Sequence, residues 1–220
     1  YPGLNLSFEV LDGLTKHRTA YDLPRITDTL MPSIEAQLVN VADEIAYMNH
    51  DIDDGLRSQI LKVKDLQKLA LWQHAEKQVK PMPFDLWVTA ITSSFIKLMV
   101  NDLAENTHQL ISKQGIQRLE DVYKTPEPLS AFSPSMKTWT EELKTFLFKN
   151  FYQSSSVAEY NEQGKKVIRF LFKKLMGDPK LLPEKFQKRL KIEKPYIIVK
   201  DYIAGMTDNF ALELYNQLNR

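Results

Sequence analysis

Only seven glycines interrupt 220 residues, and the tracts between them are rich in strong helix formers, so the backbone has few places to become anything but helix. This predicts an all-α chain in which prolines mark the turns. Helices are expected at about 7–17, 33–57, 58–79, 84–112, 115–122, 134–152, 156–176, 183–191 and 195–218. Between them "KPMP", "KTPEPLSAFSPS" and "GDPKLLP" read as turns, and "RTAYDLPRITDTLMPS" as the loop after the first helix. No repeat, low-complexity tract or Pro/Gly/Ser linker divides the chain, whose length suits one sizeable domain or two small ones. Its 43% apolar content can fill a core.

The first helix should bury Phe8, Val10, Leu11 and Leu14. Ser33 is a natural N-cap for the second, with Glu35 in the first turn meeting the positive helix end. In that helix Ile34, Leu38, Val41, Ile45, Ile52 and Leu56 form one narrow apolar stripe. On the opposite side gather Asp43, Tyr47, His50, Asp51 and Asp54, within about a third of the circumference. Carboxylates on one helix face are ordinarily just solvated. Asp43, however, sits among Val39, Val41, Ala42, Ile45 and Ala46, and a carboxylate among apolar residues is costly unless a cation or hydrogen-bond donor compensates it.

Charge is unevenly spread. Residues 1–136 hold 13 Lys/Arg against 18 Asp/Glu, whereas 137–200 hold 15 against 7. The basic runs "GKKVIRFLFKKL" and "EKFQKRLKIEK" suit phosphate or nucleic-acid contact. The plainer reading is lysines on the wet faces of amphipathic helices, since Glu is interspersed and aromatic interleaving of the single-strand-binding kind is missing. With no cysteine, disulfides and thiolate metal sites are excluded, which fits a reducing compartment, the cytoplasm by default. No apolar run of about 18 residues or basic-then-apolar leader appears, so no membrane partner is expected. The chain opens in structured-looking sequence without an initiator methionine, as a fragment would.

The familiar catalytic spacings are missing: no HExxH, GxGxxG, GxxxxGK[ST] or GxSxG. Yet "GLNLSFEVLDGLTKH", "SIEAQLVNVADEIAYMNHDIDDGLR", "LSAFSPSMKTWTEELKTFLFKNFYQSSSV" and "DYIAGMTDNFALELYNQL" together resemble, in order, the deoxyguanosinetriphosphate triphosphohydrolase-like family of HD-domain phosphohydrolases. The resemblance implies an HD-domain-like all-α bundle, lacking its N-terminal part, with residues 1–57 the last part of the HD core and 58–220 a C-terminal helical region. It implies a divalent metal, Mg²⁺ or Mn²⁺, with Asp43 as the last of its ligands. The other ligands and the groups that assist the attacking water would precede Tyr1, so no catalytic residue is assigned here and the chain alone should be inactive. His50-Asp51 is then a decoy for the name-giving dipeptide. Tyr47 would pack against the sugar, Asp51 would accept from the deoxyribose 3′-hydroxyl, and Lys16 and His17 would contact phosphate.

The reaction so implied is hydrolysis of a deoxynucleoside triphosphate to deoxynucleoside and inorganic triphosphate by a homo-oligomer, with a nucleotide effector or single-stranded nucleic acid as further partners. The alternative is a helical regulatory or interaction module that binds nucleotide, nucleic acid or protein without hydrolysis. Asn209 stands where the family commonly has an arginine, which puts that arginine's contacts in doubt. Gly205, inside a helical pattern, suggests a close helix approach, and Trp72, Trp87, Trp139 and the aromatics of 146–152 read as core or subunit interface.

Overall fold

The computed structural model describes residues 3–17 and 30–219. Most of the loop expected at 18–33 lies outside them. The described residues form helices and turns with no strand, so the all-α expectation holds. The chain divides into two compact units, residues 1–152 and 153–220.

The first unit holds α1 (Phe8–Lys16), α2 (Ile34–Arg57), α3 (Val63–Leu66), α4 (Ala70–Glu76), α5 (Phe84–Gln114), α6 (Leu119–Tyr123) and α7 (Pro134–Leu147). A π-helical turn, Phe148–Tyr152, closes it. Ser33 caps α2 as expected, its hydroxyl accepting from the Ala36 amide at 3.3 Å. The α2 stripe is buried in the anticipated register, with Ile45, Ile52 and Leu56 meeting Val88, Ile91, Phe95 and Met99 of α5 and Leu143 of α7 in one core. Trp72 lies fully buried between Trp87 and Phe95, ring centroids 5.7 and 5.6 Å away.

Two polar side chains lock the loop before α7. Gln37 accepts from the Leu129 and Ser130 amides at 2.8 and 3.2 Å and donates to the Pro32 carbonyl. Asp102 of α5 accepts from the Ser133 amide and hydroxyl, fixing the residue that caps α7. Gln37 thereby ties the first turn of α2 to that loop.

The second unit holds α8 (Ser155–Gly177), a 3₁₀ turn (Pro179–Leu181), α9 (Glu184–Arg189), α10 (Pro195–Ala204) and α11 (Asp208–Leu218). Val167, Leu171 and Leu175 of α8 pack with Leu182, Ile198 and Val199 into a separate core. Arg189 ties α9 to α10 through bidentate contact with Glu193 at 2.6 Å and one bond to Asp201 at 2.7 Å.

Four sequence expectations need correction. The apolar face of α1 is exposed, with Phe8 and Leu14 each more than 60% accessible, because α1 approaches α2 through Gly13 instead. A β-carbon at Gly13 would stand 2.8 Å from that of Ala36. The helix expected over 58–79 is two short ones, broken by the turn at Gln67–Leu69. The helix expected over 195–218 also breaks: Gly205 ends α10, and Thr207 starts α11 by accepting from the Phe210 amide at 3.3 Å. A β-carbon at Gly205 would meet only carbonyl oxygens of its own α10, so no other helix approaches closely there.

Candidate functional site

The carboxylates of α2 are distinguished by what already neutralises them. Glu44 contacts Lys144 of α7, and Lys144 also reaches Glu141 at 2.9 Å. Burial alone would favour loss of the Lys144 proton, but the two carboxylates outweigh it and hold the ammonium above its ordinary value. Asp53 pairs with Arg57 at 2.8 Å. These two acids serve the fold. Asp54 is exposed.

Asp43 differs. Its Oδ2 lies 3.8 Å from Nε2 of His17, the residue that ends α1, with both side chains about one-third exposed. That separation is too long for a hydrogen bond, so neither group saturates the other and each keeps capacity for a ligand. One turn to either side stand Val39 and Tyr47, 58% and 59% exposed, so the carboxylate is framed by accessible apolar surface where a merely solvated helix face would place polar residues.

Asp51, two turns further along, is half-buried and accepts a short hydrogen bond from the Tyr152 hydroxyl, donated by the last residue of the π-helical turn. Burial pushes its carboxyl above the ordinary carboxylate value; the Tyr152 bond opposes that shift and the neighbouring Asp54 charge adds to it. Tyr152 had been grouped with core or interface aromatics. The signal that could have found it is its position in a π-helical turn, a feature frequent at functional sites, but the extra residue in that turn has no local sequence signature.

Among the expected site residues, then, the fold brings His17 to Asp43 and leaves Tyr47 and Asp51 on the same helix. Lys16 behaves differently: it is 8% exposed and its ammonium pairs back onto Asp12 of α1 at 2.9 Å. His50 is exposed and adjacent to Asp51, so the two side chains diverge by about 100° around the helix axis.

A carboxylate oxygen and an imidazole nitrogen are suitable donors for a divalent ion, so Asp43 and His17 fit part of a ligand set. Among the described residues no group of three such side chains converges. A groove of about 620 Å³ between α1, α2 and Leu119 touches His17 and Val39 but otherwise presents mainly apolar walls, and it includes neither Asp43 nor Asp51. The groove and the surroundings of Asp43 share His17 and Val39.

Residues 130–217 match a family described as a phosphohydrolase-associated domain. Proteins named deoxyguanosinetriphosphate triphosphohydrolase-like are 38% identical in Geobacter metallireducens, 36% in Geobacter sulfurreducens and 35% in Bordetella pertussis. Each alignment covers 99% of this chain, which spans 59% of the relative's length.

Proposed function

Because the chain belongs to the deoxyguanosinetriphosphate triphosphohydrolase-like family, we propose that it forms part of a metal-dependent enzyme that hydrolyses a deoxynucleoside triphosphate to the deoxynucleoside and inorganic triphosphate. The observation that carries this reading is the state of Asp43: among the described residues its ion-pair partner is His17 at 3.8 Å, on a helix where Glu44 and Asp53 are committed to lysine and arginine.

In this reading Asp43 contributes one carboxylate to a divalent metal, with the remaining ligands supplied from outside these 220 residues. The chemistry such an ion would supply when bound is Lewis-acid polarisation of the α-phosphate and activation of a water. His17 directs its imidazole nitrogen toward the phosphate, and charge accumulating on the leaving oxygen is met by such donors. The exposed ring of Tyr47 lies against the deoxyribose and crowds the position a ribose 2′-hydroxyl would need. At about 1.5 Å rise per residue, Asp51 stands about 12 Å along the helix from Asp43, near the span from a metal-bound phosphate to the sugar. One Asp51 oxygen serves Tyr152, and the other accepts from the 3′-hydroxyl. Lys16 acts from within its pair with Asp12, as a positive charge behind His17.

The test is to assay the intact natural protein with Mn²⁺ or Mg²⁺ and mixed deoxynucleoside triphosphates, then to repeat with Asp43→Ala. Inorganic triphosphate should appear and fall by at least about 100-fold in the variant. An unchanged rate would remove Asp43 from the site, and no triphosphate from any deoxynucleotide would favour a non-hydrolytic binding module. These 220 residues alone should show no turnover.

A further inference from the structure

Helix α1 meets α2 without its apolar side chains. Of its residues only Asp12, Gly13 and Lys16 are not exposed. At Gly13 the approach leaves no room for a side chain: a β-carbon there would stand 2.8 Å from the Ala36 β-carbon and 3.9 Å from the Ala36 α-carbon. Carbon atoms in contact prefer about 3.5–4.0 Å, so one methyl at position 13 would push the two helices apart by about 1 Å. The Ala36 methyl cannot rotate out of the way. Glycine inside a helix is disfavoured relative to alanine, so position 13 gives up helix propensity and gains a close backbone approach.

That approach decides where His17 stands. Gly13 and His17 are four residues apart, on one side of α1 and its end, and Ala36 and Asp43 are seven apart, on one side of α2. The contact therefore leads along both helices to the pair in which His17 Nε2 lies 3.8 Å from Asp43 Oδ2. Gly13, Ala36 and His17 all border the groove left open between the helices. Space unfilled by side chains cannot fix their separation, whereas the Gly13 contact can.

We propose that Gly13 is a positioning residue: by letting α1 rest on Ala36, it sets the reach of the His17 imidazole toward Asp43 and toward the substrate phosphate. The proposal rests on the hydrolytic reading of those two residues. A misplacement of about 1 Å can cost a reaction between aligned groups about 100-fold, which makes the spacing consequential.

The test uses the intact natural protein. Gly13→Ala should lower kcat/KM for triphosphate release at least about tenfold. In a His17→Ala background the same substitution should change it less than about twofold, because a residue that acts through His17 has nothing left to act on. Combining Gly13→Ala with Ala36→Gly keeps one methyl in the contact and should return most of the rate. Gly164→Ala in α8, where an added β-carbon meets nothing within 4 Å, should leave the rate unchanged. A second readout needs no turnover. In metal-free protein with labelled histidine, the His17 ring resonances, assigned by their loss in His17→Ala, should shift in Gly13→Ala and return in the double variant.

The proposal is overturned if Gly13→Ala leaves the rate or the His17 resonances at parent values, if it lowers the rate equally in both backgrounds, or if the double variant restores neither. Should Gly13→Ala not fold, Ala36→Gly removes the methyl on the other side, lets α1 settle closer and should move the same resonances; unmoved resonances there overturn the proposal too. Failure of the hydrolytic reading looks different: the parent releases no triphosphate from any deoxynucleotide, and the His17 resonances alone then decide whether Gly13 positions that ring.

Discussion

At the scale of single residues, the Tyr152 and Asp51 contact couples the protonation of one half-buried carboxyl to stability. Asp51 carries a carboxyl held above its ordinary value mainly by burial, with the phenol partly offsetting the shift. Such a group binds its proton more tightly in the folded state, so it supports folding below the ordinary carboxylate pKa of about 4, and that support is lost as pH rises through the native value. Asp51→Asn should therefore flatten the decline in urea midpoint between acid and neutral pH. Tyr152→Phe removes the offsetting bond and should raise the Asp51 titration further, which carboxyl-detected NMR would read. A titration that moves down or not at all would mean that the phenol does not hold this carboxylate. Asp43 was legible in the sequence as a carboxylate among apolar neighbours, whereas His17 was named only through the family resemblance, as a phosphate contact. Their meeting was not legible, because 26 positions separate them in sequence and only the α1 and α2 packing brings them together.

At the scale of elements, periodicity located α2 well and caps located its start, since both are local signals written within a few residues. The breaks within 58–79 and 195–218 were not foreseen for other reasons: 58–79 is made largely of good helix formers, so its turn at Gln67–Leu69 leaves no propensity signal, whereas at 195–218 Gly205 was read as a packing position inside one helix although it ends α10. Gly55 gives a clear test of packing against propensity. Alanine there would normally gain about 1 kcal/mol of helix propensity. Its β-carbon would, however, fall 2.4 Å from Leu61 Cδ1 and 2.5 Å from Leu61 Cγ. Leu61 is buried and its amide is tied to the Gly55 carbonyl at 2.8 Å, so it has little room to yield. Overpacking costs about 1–3 kcal/mol, and Gly55→Ala should lower the urea midpoint; a rise would show that Leu61 moves aside. Gln37→Ala should cost about 1–3 kcal/mol, because it strands the buried amides of Leu129 and Ser130 in a loop that water cannot easily enter. Gln37→Glu, which keeps the acceptor oxygen, should recover part of that loss.

At the scale of the whole molecule, the two hydrophobic cores have no residue in common. The sequence offered no hint of this, because the usual sign of a boundary is a Pro/Gly/Ser-rich linker, whereas here the first unit ends in a π-helical turn and α8 begins three residues later with Ser154 as its cap. Separate cores carry a separate energetic consequence. Leu143 and Leu171 are both fully buried, one in each core, and truncating such a leucine costs about 2–5 kcal/mol through lost burial and the cavity left behind. Hydrogen exchange should therefore localise the two substitutions differently. Leu171→Ala should lower protection in α8, α10 and α11, and Leu143→Ala should do so in α2, α5 and α7, which line the core that holds Asp43's helix. If Leu171→Ala instead lowered protection across α2 and α5 as much as across α10, the division into two packed units would be wrong. On the proposed hydrolytic reading, triphosphate release by the intact protein should respond more to Leu143→Ala than to Leu171→Ala, since Leu143 packs in the core that holds the helix carrying Asp43, Tyr47 and Asp51.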